Sequence, residues 1–235
     1  MKQSVFTCAP LRCAVPAAGQ RINKKNLIDF WHVVRKDIDK RLRDFQTIDR
    51  NADDNALFCE LMFCLFTPQS KAVFCWAAVE SLRDGQLVSS GTRDKIAETL
   101  RRRVRFHRNK SSYVIEARNR FFTENAVSLR ETLDGFPSSR AAREWLVKNI
   151  RGLGYKEASH FLRNIGRGSD IAILDRHILR NLKELCVIRD VPSALTPRKY
   201  FEIEDAMSSF SRATGIPMDH LDILLWCHET GEIFK

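Results

Sequence analysis

The sequence contains few of the residues that interrupt regular backbone structure. Only 10 of its 235 residues are glycine and 7 are proline, well below the roughly 12% that these two residues ordinarily make up. This scarcity argues against a turn-rich all-β fold and favours long helices. Long apolar runs are missing as well, since no stretch approaches 18 consecutive apolar residues, and this excludes a transmembrane helix. With 44% hydrophobic residues, the chain can still bury a sizeable core.

The cysteines form neither a disulfide framework nor a zinc site. Their number, seven, is odd, and no pair has the Cys-x-x-Cys spacing of zinc and redox motifs. Cys59, Cys64 and Cys75 stand inside apolar runs, where a free cysteine behaves as a small hydrophobic residue. We therefore expect a reducing, intracellular environment.

Acidic residues are missing from the first 28 positions, which carry five lysines and arginines. Over the whole chain, 39 Lys and Arg face 29 Asp and Glu, a net charge of +10. Such an excess favours a polyanionic partner, nucleic acid above all, although a basic chain can also be merely soluble. We interpret residues 1–26 as a basic, flexible N-terminal arm, with an organelle-targeting segment as the alternative.

Helical periodicity dominates from Asn26 onward. Leu27, Phe30, Trp31 and Val34 follow the i, i+3, i+4, i+7 spacing of a helix with one buried face. Similar patterns predict further helices at about residues 58–66, 73–82, from 92, 112–123, 139–150, 157–164, 176–185, 197–211 and 217–228. No strand pattern of convincing length is present. The sequence predicts an all-α fold without internal repeats.

The most informative segment is a hairpin between two predicted helices, with Gly152 and Gly154 at alternate positions. Glycine allows positive φ and close backbone approach, and the free N–H groups that open the second helix form a site for one phosphate. Such a contact positions DNA without reading its sequence. By itself, however, Gly-x-Gly between helices is often only a helix cap and a tight turn.

Lys156 and Asp175 point to chemistry beyond backbone binding. Lys156 lies in the first turn of the second helix, where the positive end of the helix dipole makes a structural cation unfavourable. A neutral lysine amine is a nucleophile that can form a Schiff base. Asp175 ends an apolar run and opens the next helix, so it is an N-cap, a fixed carboxylate beside developing positive charge, or both.

These two segments together resemble one superfamily of DNA repair enzymes. Residues 152–166 (GLGYKEASHFLRNIG) and 172–179 (AILDRHIL) are similar to the helix-hairpin-helix DNA glycosylases, and within them to the type 2 8-oxoguanine DNA glycosylases/AP lyases. The resemblance runs from about residue 27 to the C-terminus, with the hairpin motif at about 140–165. It implies two helical subdomains flanking a cleft. It also implies that Lys156 attacks C1′ of a flipped 8-oxoguanine nucleotide, that a Schiff base and β-elimination follow, and that Asp175 stabilises the oxocarbenium-like sugar.

The C-terminus resembles the same subfamily. Its members end at a lysine shortly after a Trp-containing helix, and that residue helps to recognise the damaged base, which maps to Lys235. A terminal carboxylate could accept the N7–H that 8-oxoguanine has and guanine lacks. Trp226 offers a stacking face for an extruded purine, and Asp222 stands four residues earlier on the same helical face. Without the resemblance, Trp226 reads as a core aromatic and Lys235 as a frayed tail.

The remaining candidate DNA contacts lie in a basic strip and in a turn. The strip, residues 101–110, holds six lysines and arginines among ten residues, as in a solvated face or a segment that tracks a phosphate backbone. The related enzymes place a wedge here, which implies that Arg105 contacts the orphaned base and Phe106 props open the base stack. The turn at residues 68–70 offers Gln69 as a second candidate for the emptied position.

No cofactor is required by this interpretation. Only Cys186 and Cys227 lie in the last third of the chain, so the four-cysteine iron–sulfur loop of several relatives cannot form. Hairpin carbonyls can hold a monovalent cation, although no side chain here requires one, and we expect no bound metal otherwise. We expect a monomer that acts on double-stranded DNA with 8-oxoguanine or abasic sites, without membrane contact. The alternatives are the same chemistry on another damaged base and a non-catalytic helix-hairpin-helix module that only binds DNA.

Overall fold

The computed structural model describes residues 10–12 and 22–235, and the regular secondary structure of this part of the chain is almost entirely α-helical. Its helices are α1 (Lys24–Asn51), α2 (Asp54–Phe66), α3 (Ala72–Asp84), α4 (Leu87–Ser90), α5 (Arg93–Leu100), α6 (His107–Phe121), α7 (Leu129–Asp134), α8 (Ser139–Asn149), α9 (Tyr155–Asn164), α10 (Arg176–Glu184), α11 (Pro197–Thr214) and α12 (Met218–Thr230). Two short strands, β1 (Leu11–Arg12) and β2 (Glu232–Ile233), pair antiparallel with Leu11 opposite Ile233.

Local capping chemistry explains many of the helix ends. The Asp53 carboxylate accepts a hydrogen bond from the Ala56 N–H at 2.8 Å and so starts α2. Thr196 caps α11, whose first residue is Pro197, a position that requires no N–H donor. Gly215 ends α11 and Gly231 ends α12, each with a positive φ that glycine adopts without strain.

Residues Phe45–Ile173 form one compact unit. Its central helix is α2, in which every residue from Leu57 to Phe66 is buried. Helices α3, α6, α7 and α9 pack around it. An ion pair from Arg167 to both Asp49 and Asp134 fastens the loop that follows α9.

The described residues up to Asp44, together with Leu174–Lys235, form a second compact unit. Helix α12 packs against α10, α11 and β2. It is tied to α1 by His220, whose Nδ1 accepts a hydrogen bond from Trp31 Nε1 at 3.1 Å and whose Nε2 lies 3.4 Å from an Asp39 carboxylate oxygen. Burial lowers the pKa of His220, although Asp219 and Asp39 oppose that effect. A neutral ring fits its role as acceptor.

The predicted all-α class is confirmed, with differences in detail. Helix α6 begins at His107 instead of near residue 112, and the short helices α4 and α7 and the β1–β2 pair were not predicted. Short elements of this kind carry too few residues for a periodic pattern. None of the helices in the described part of the chain combines the length and hydrophobicity of a membrane span.

The N-terminal arm predicted for residues 1–26 is described only in part. Within it, Leu11 and Arg12 form strand β1, and α1 already begins at Lys24. The other residues of the predicted arm lie outside the described residues. Among the described cysteines, Cys59, Cys64, Cys75 and Cys186 are free. Cys227 is disulfide-bonded, and this bond was not predicted from the sequence.

Candidate active site

A tight hairpin joins α8 to α9 in the Phe45–Ile173 unit. Ile150 leaves the helix in an extended conformation, and the Leu153 N–H donates to the Ile150 carbonyl at 3.2 Å. Gly154 is the N-cap of α9, and its N–H donates to Glu157 Oε2 at 3.3 Å. The predicted hairpin is thus present, with α9 beginning at Tyr155.

The two glycines of the hairpin serve different purposes. Gly152 has a φ of +96°, and a Cβ at this position would lie 2.5 Å from Cδ2 of Tyr113 on α6. Gly154 has a φ of −94°, and a Cβ there would meet only the flexible Glu157 carboxylate at 3.2 Å. The conformation and the close packing both require glycine at position 152, whereas position 154 does not depend on it in this way.

Neighbouring side chains brace the hairpin from two sides. On one side, Arg151 lies 5.3 Å from the Tyr113 ring centroid and pairs with Glu116 at 3.0 Å. On the other side, the fully buried Arg143 donates to Ser159 Oγ at 3.1 Å. Tyr155 donates to a Glu144 carboxylate oxygen at 3.0 Å. Both helices are therefore held to the turn by side chains as well as by backbone.

Lys156 projects from the first turn of α9, and its side chain is 23% exposed. Its Nζ lies 3.7 Å from Glu157 Oε1. It also interacts electrostatically with two buried groups, the Cys75 thiol and the Lys110 ammonium. A lysine that is partly exposed and projects from a fixed backbone is suited to act as an amine nucleophile.

Asp175 is a helix cap, as one of the two sequence-based interpretations required. Its Oδ1 accepts hydrogen bonds from the His177 and Ile178 N–H groups, both at 2.8 Å, at the start of α10. The preceding residues 171–174 are all buried. Asp175 belongs to the unit that contains α10 and α12, where its carboxylate is partly exposed and rigidly oriented.

The C-terminal segment is ordered around three candidate recognition residues. Asp222 is buried, and Trp226 is partly buried in α12. Lys235 is only 6% exposed, so the interpretation of the terminus as a frayed tail is wrong. The last residues are held because β2 pairs with β1 and packs on α12.

A polar network that sequence reasoning missed supports Trp226. The His177 ring stands edge-on to the Trp226 ring at 5.2 Å and 88°, and His177 Nδ1 lies 3.2 Å from Glu229 Oε2. Arg180 and Asn181 also bond to the Glu229 carboxylate, at 3.2 and 3.0 Å. Four polar residues thereby link α10 to the end of α12. No sequence signal pointed to Glu229, because its partners lie about 50 residues earlier in the chain.

The predicted basic strip, residues 101–110, contains both exposed residues and a buried lysine. Arg105 and Phe106 are exposed, with the Arg105 guanidinium 5.4 Å from the Phe106 ring centroid. Phe106 has a φ of 57°, and Gln69, which is also exposed, has a φ of 56°. Lys110, by contrast, is buried. A cavity of about 640 Å³ lies between α5 and α6 and includes Arg101 and Arg108 in its lining.

The sequence does contain a signal for the burial of Lys110, but we overlooked it because Lys110 stands among five other cations that read as an exposed surface. Residues 110, 114, 117 and 121 form the buried face of α6, with the spacing of an amphipathic helix. Cys75, expected only as a small hydrophobic residue, is indeed fully buried, and burial raises the pKa of its thiol to about 11.

Comparison with known proteins identifies the family. Residues 38–216 match the model described as 8-oxoguanine DNA glycosylase. Two similar proteins, both named 8-oxoguanine DNA glycosylase/AP lyase, come from Fusobacterium nucleatum and Methanocaldococcus jannaschii. The first is 45% identical over 83% of this chain and 90% of its own. The second is 37% identical over 84% of this chain and 91% of its own.

Solved structures agree with the sequence comparison. The M. jannaschii 8-oxoguanine glycosylase/lyase, in complex with a 15mer DNA that contains 8-oxoguanine, has a TM-score of 0.82 and 34% identity, over 90% of this chain and 99% of its own. The 8-oxoguanine DNA glycosylase of Thermotoga maritima has a TM-score of 0.80 and 29% identity, over 90% of this chain and 98% of its own. The resemblance drawn from the hairpin, Lys156 and Asp175 is therefore confirmed, and the chain belongs to the 8-oxoguanine DNA glycosylase family.

Proposed function

We propose that this protein is a base-excision repair enzyme that removes 8-oxoguanine from DNA and cleaves the resulting abasic site. Membership of the family supports 8-oxoguanine in DNA as the substrate and both base excision and strand cleavage as the activities. The observation that carries the assignment to this chain is Lys156, a partly exposed amine in the first turn of a braced helix. A module that only binds the DNA backbone does not need a lysine at this position.

The proposed reaction begins with a flipped nucleotide, whose C1′ is attacked by the neutral Lys156 amine. The C1′–N9 bond breaks, and the base leaves with the bonding electron pair and takes up a proton. The Lys156 nitrogen, now bonded to C1′, loses its excess proton to the ring oxygen O4′, and breakage of the C1′–O4′ bond opens the sugar and gives a protonated Schiff base. Loss of a C2′ proton then expels the 3′ phosphate by β-elimination, and water finally releases Lys156.

Asp175 is the proposed electrostatic partner in this reaction. Two backbone N–H groups hold its carboxylate, so that the negative charge is already oriented when positive charge develops on the sugar. We assign Asp175 to stabilisation of the oxocarbenium-like transition state and not to nucleophilic attack.

The C-terminal residues are the proposed readers of the damaged base. Trp226 provides an aromatic face for stacking, with His177 against its edge. The terminal carboxylate of Lys235 is the proposed acceptor for N7–H of 8-oxoguanine, and Asp222 stands one helical turn before Trp226. The burial of Asp222 and Lys235 supports this role because a recognition group must be fixed before the base arrives.

The hairpin and the exposed turns are the proposed DNA contacts. The backbone around Gly152 and Gly154 would hold one phosphate, while Arg105, Phe106 and Gln69 would occupy the space left by the flipped nucleotide. We propose no required cofactor, since Lys156 supplies the nucleophile. The hairpin carbonyls can hold a monovalent cation, although the proposed reaction does not require one, and we propose that the enzyme is a monomer.

Borohydride trapping on duplex DNA that contains 8-oxoguanine tests the proposed function. We expect the wild-type protein to form a covalent adduct with the DNA, and Lys156→Gln to form none. Lys148→Gln, which alters an exposed lysine just before the hairpin, is the matched control and should trap like the wild type. Failure of the wild type to form an adduct, or an undiminished adduct with Lys156→Gln, would overturn the Schiff-base mechanism.

The same assay separates the alternatives. An enzyme for another damaged base would trap on abasic DNA but leave 8-oxoguanine in place. A DNA-binding module without catalysis would trap on neither substrate while still binding the duplex.

A further inference from the structure

Lys110 is a buried cation whose ammonium is surrounded by oxygen atoms of one turn. Only 4% of the residue is exposed. Its Nζ donates to the carbonyls of Phe66 and Pro68, each at 2.7 Å, and to Ser70 Oγ at 3.3 Å. A lysine ammonium has three donors, so all of them are used within the turn at residues 66–70. A lysine arranged in this way cannot contact DNA phosphate.

The turn held by Lys110 is connected to the exposed Arg105–Phe106 pair. Ser70 Oγ, which accepts from Lys110, also accepts a hydrogen bond from the Arg105 N–H at 3.0 Å. The backbone of Arg105 is thereby joined to the 66–70 turn through a single hydroxyl. Lys110 itself lies in the first turn of α6, directly after the Arg105–Phe106 pair, so it reaches both elements.

Both elements carry an exposed residue in an unfavourable backbone conformation. Gln69 has a φ of 56° and Phe106 a φ of 57°, a region that residues other than glycine adopt only when the surroundings enforce it. The two residues are the candidates for filling a DNA stack after a nucleotide is flipped. Lys110 and Ser70 provide the contacts that fix the backbone on either side of them.

We propose that Lys110 is a positioning residue that holds the Gln69 turn and the Arg105–Phe106 pair in the arrangement required to engage a flipped lesion. The inference rests on the proposed function, since it assigns a role within that same reaction. It makes no use of Lys110 as a nucleophile, because its three donors are occupied and the residue is buried.

The charges around Lys110 suggest an alternative role, an electrostatic effect on the Lys156 amine, and the test has to distinguish this role from positioning. Lys110 interacts electrostatically with Lys156, Cys75, Glu157 and Arg105. Burial lowers the pKa of Lys110 to about 8, although Cys75 and Glu157 oppose that effect. A purely electrostatic effect on Lys156 would change every reaction of that amine, whereas loss of positioning would affect only reactions that need the DNA stack to be opened.

The experiment compares two substrates with the full-length protein. One is duplex DNA with 8-oxoguanine, which must be flipped; the other is a single-stranded oligonucleotide with a preformed abasic site, which needs no wedge. For Lys110→Met we expect single-turnover excision from the duplex to fall about tenfold or more, while cleavage of the single strand changes by less than about twofold. A 2-aminopurine placed next to the lesion should show a correspondingly smaller fluorescence rise on flipping.

Two further variants and a control complete the test. Lys110→Arg, which retains the charge and several donors, should recover part of the flipping signal. Ser70→Ala removes the link to Arg105 and one of the three acceptors of Lys110 while it keeps the lysine and its two carbonyl partners, and it should lower duplex excision by about threefold. Lys95→Met, an exposed lysine of α5, controls for loss of one positive charge and should behave like the wild type.

Two results would overturn the inference. One is an equal loss on both substrates in a folded Lys110→Met protein, which would assign Lys110 to the chemistry of Lys156. The other is unchanged flipping in both Lys110→Met and Ser70→Ala. If Lys110→Met does not fold, Ser70→Ala alone decides. A wild-type protein that forms no borohydride adduct would refute the proposed function instead, so the two failures are distinguishable.

Discussion

The hairpin that carries Lys156 and the segment that carries Asp175 and Trp226 differ in how firmly their functional side chains are held. At the hairpin, the backbone is braced, but the Lys156 side chain is partly exposed and its Nζ lies 3.7 Å from Glu157 Oε1, too far for a hydrogen bond. In the other segment, the side chains themselves are fixed: two N–H groups bind Asp175, and a network from α10 supports Trp226. A nucleophile has to move through several covalent states, whereas charge stabilisation and base recognition need groups that stay in place.

This difference implies that the two activities can be separated by substitution. Under the proposed function, we expect cleavage of a preformed abasic site to depend chiefly on Lys156, because no base has to be recognised or removed. We expect excision of 8-oxoguanine to depend in addition on the residues of the second segment. The following predictions use that contrast, from the largest expected effect to the smallest.

Asp175→Asn should have the largest effect on excision alone. Asparagine retains an oxygen that can cap α10, but it removes the charge, so we expect the single-turnover rate of 8-oxoguanine release to fall by about a hundredfold. Abasic cleavage and the melting temperature should change little. Asp53→Asn, at the N-cap of α2, is the matched control and should leave both rates unchanged. Equal rates for Asp175→Asn and the wild type would remove its assigned role.

Extension of the C-terminus should also affect excision selectively. Appending two residues after the buried Lys235 displaces the terminal carboxylate, and we expect 8-oxoguanine excision to fall about tenfold, with abasic cleavage unchanged. Lys235→Met retains the carboxylate and changes only the side chain, so comparison of the two proteins tells which group reads the base. A similar loss on both DNA substrates would show that the terminus is not a base reader.

Gly152→Ala should affect the hairpin through folding and DNA binding. Its new Cβ would lie 2.5 Å from the Tyr113 ring and would have to accept a φ of +96°, so we expect the free energy of unfolding to fall by about 1–3 kcal/mol. Gly154→Ala is the matched control, because a Cβ there meets only a flexible carboxylate. Urea denaturation measures both proteins, and equal midpoints would contradict the distinction between the two glycines.

The smallest effect is a pH dependence of stability due to Lys110. Burial lowers its pKa to about 8 from an ordinary value of 10.5, so between these values the unfolded chain binds more protons than the folded one. The contribution of Lys110 to the free energy of unfolding therefore rises with pH over this range and is lost as the pH falls through 8.

The free energy of unfolding of the wild type minus that of Lys110→Met should consequently increase from pH 8 to pH 10. Urea titrations at several pH values measure it. The thiol of Cys75, whose pKa burial raises to about 11, acts in the opposite direction but is present in both proteins. A difference that stays flat or decreases with pH would contradict the prediction.

Much of the fold could be predicted because its signals are local. Caps such as Asp53 and Thr196, the positive-φ glycines, and the apolar spacing of α2 and α9 act within one or two helical turns. The same holds for the hairpin and for the position of Lys156 in the first turn of α9. Two elements without such signals were not predicted. The four-residue α4 is too short to show a periodic pattern, and the β1–β2 pair joins segments from opposite ends of the chain.

Within the candidate site, the basic strip shows where local signals are insufficient. Six cations among ten residues indicated one surface, but Lys110 turns inward to carbonyls 44 and 42 residues earlier in the chain. Lys235, which would be a frayed end if the family resemblance were ignored, is likewise buried. In both cases burial of a charged residue depends on oxygen partners or packing that only the folded chain supplies.

The sequence by itself determined the helical class, the hairpin with its two glycines, the family, and Lys156 and Asp175 as the candidate catalytic pair. The helical class and the hairpin follow from residue types at fixed short spacings, which act through backbone geometry and capping. The family, and with it the roles expected of Lys156 and Asp175, follows from the resemblance of two short motifs to known enzymes. The tertiary structure alone decided that Gln69 and Phe106 stand in left-handed conformations, that Lys110 ties their two segments together, and that a network from α10 supports Trp226. These features join residues far apart in the chain, and such pairings form only when helices pack.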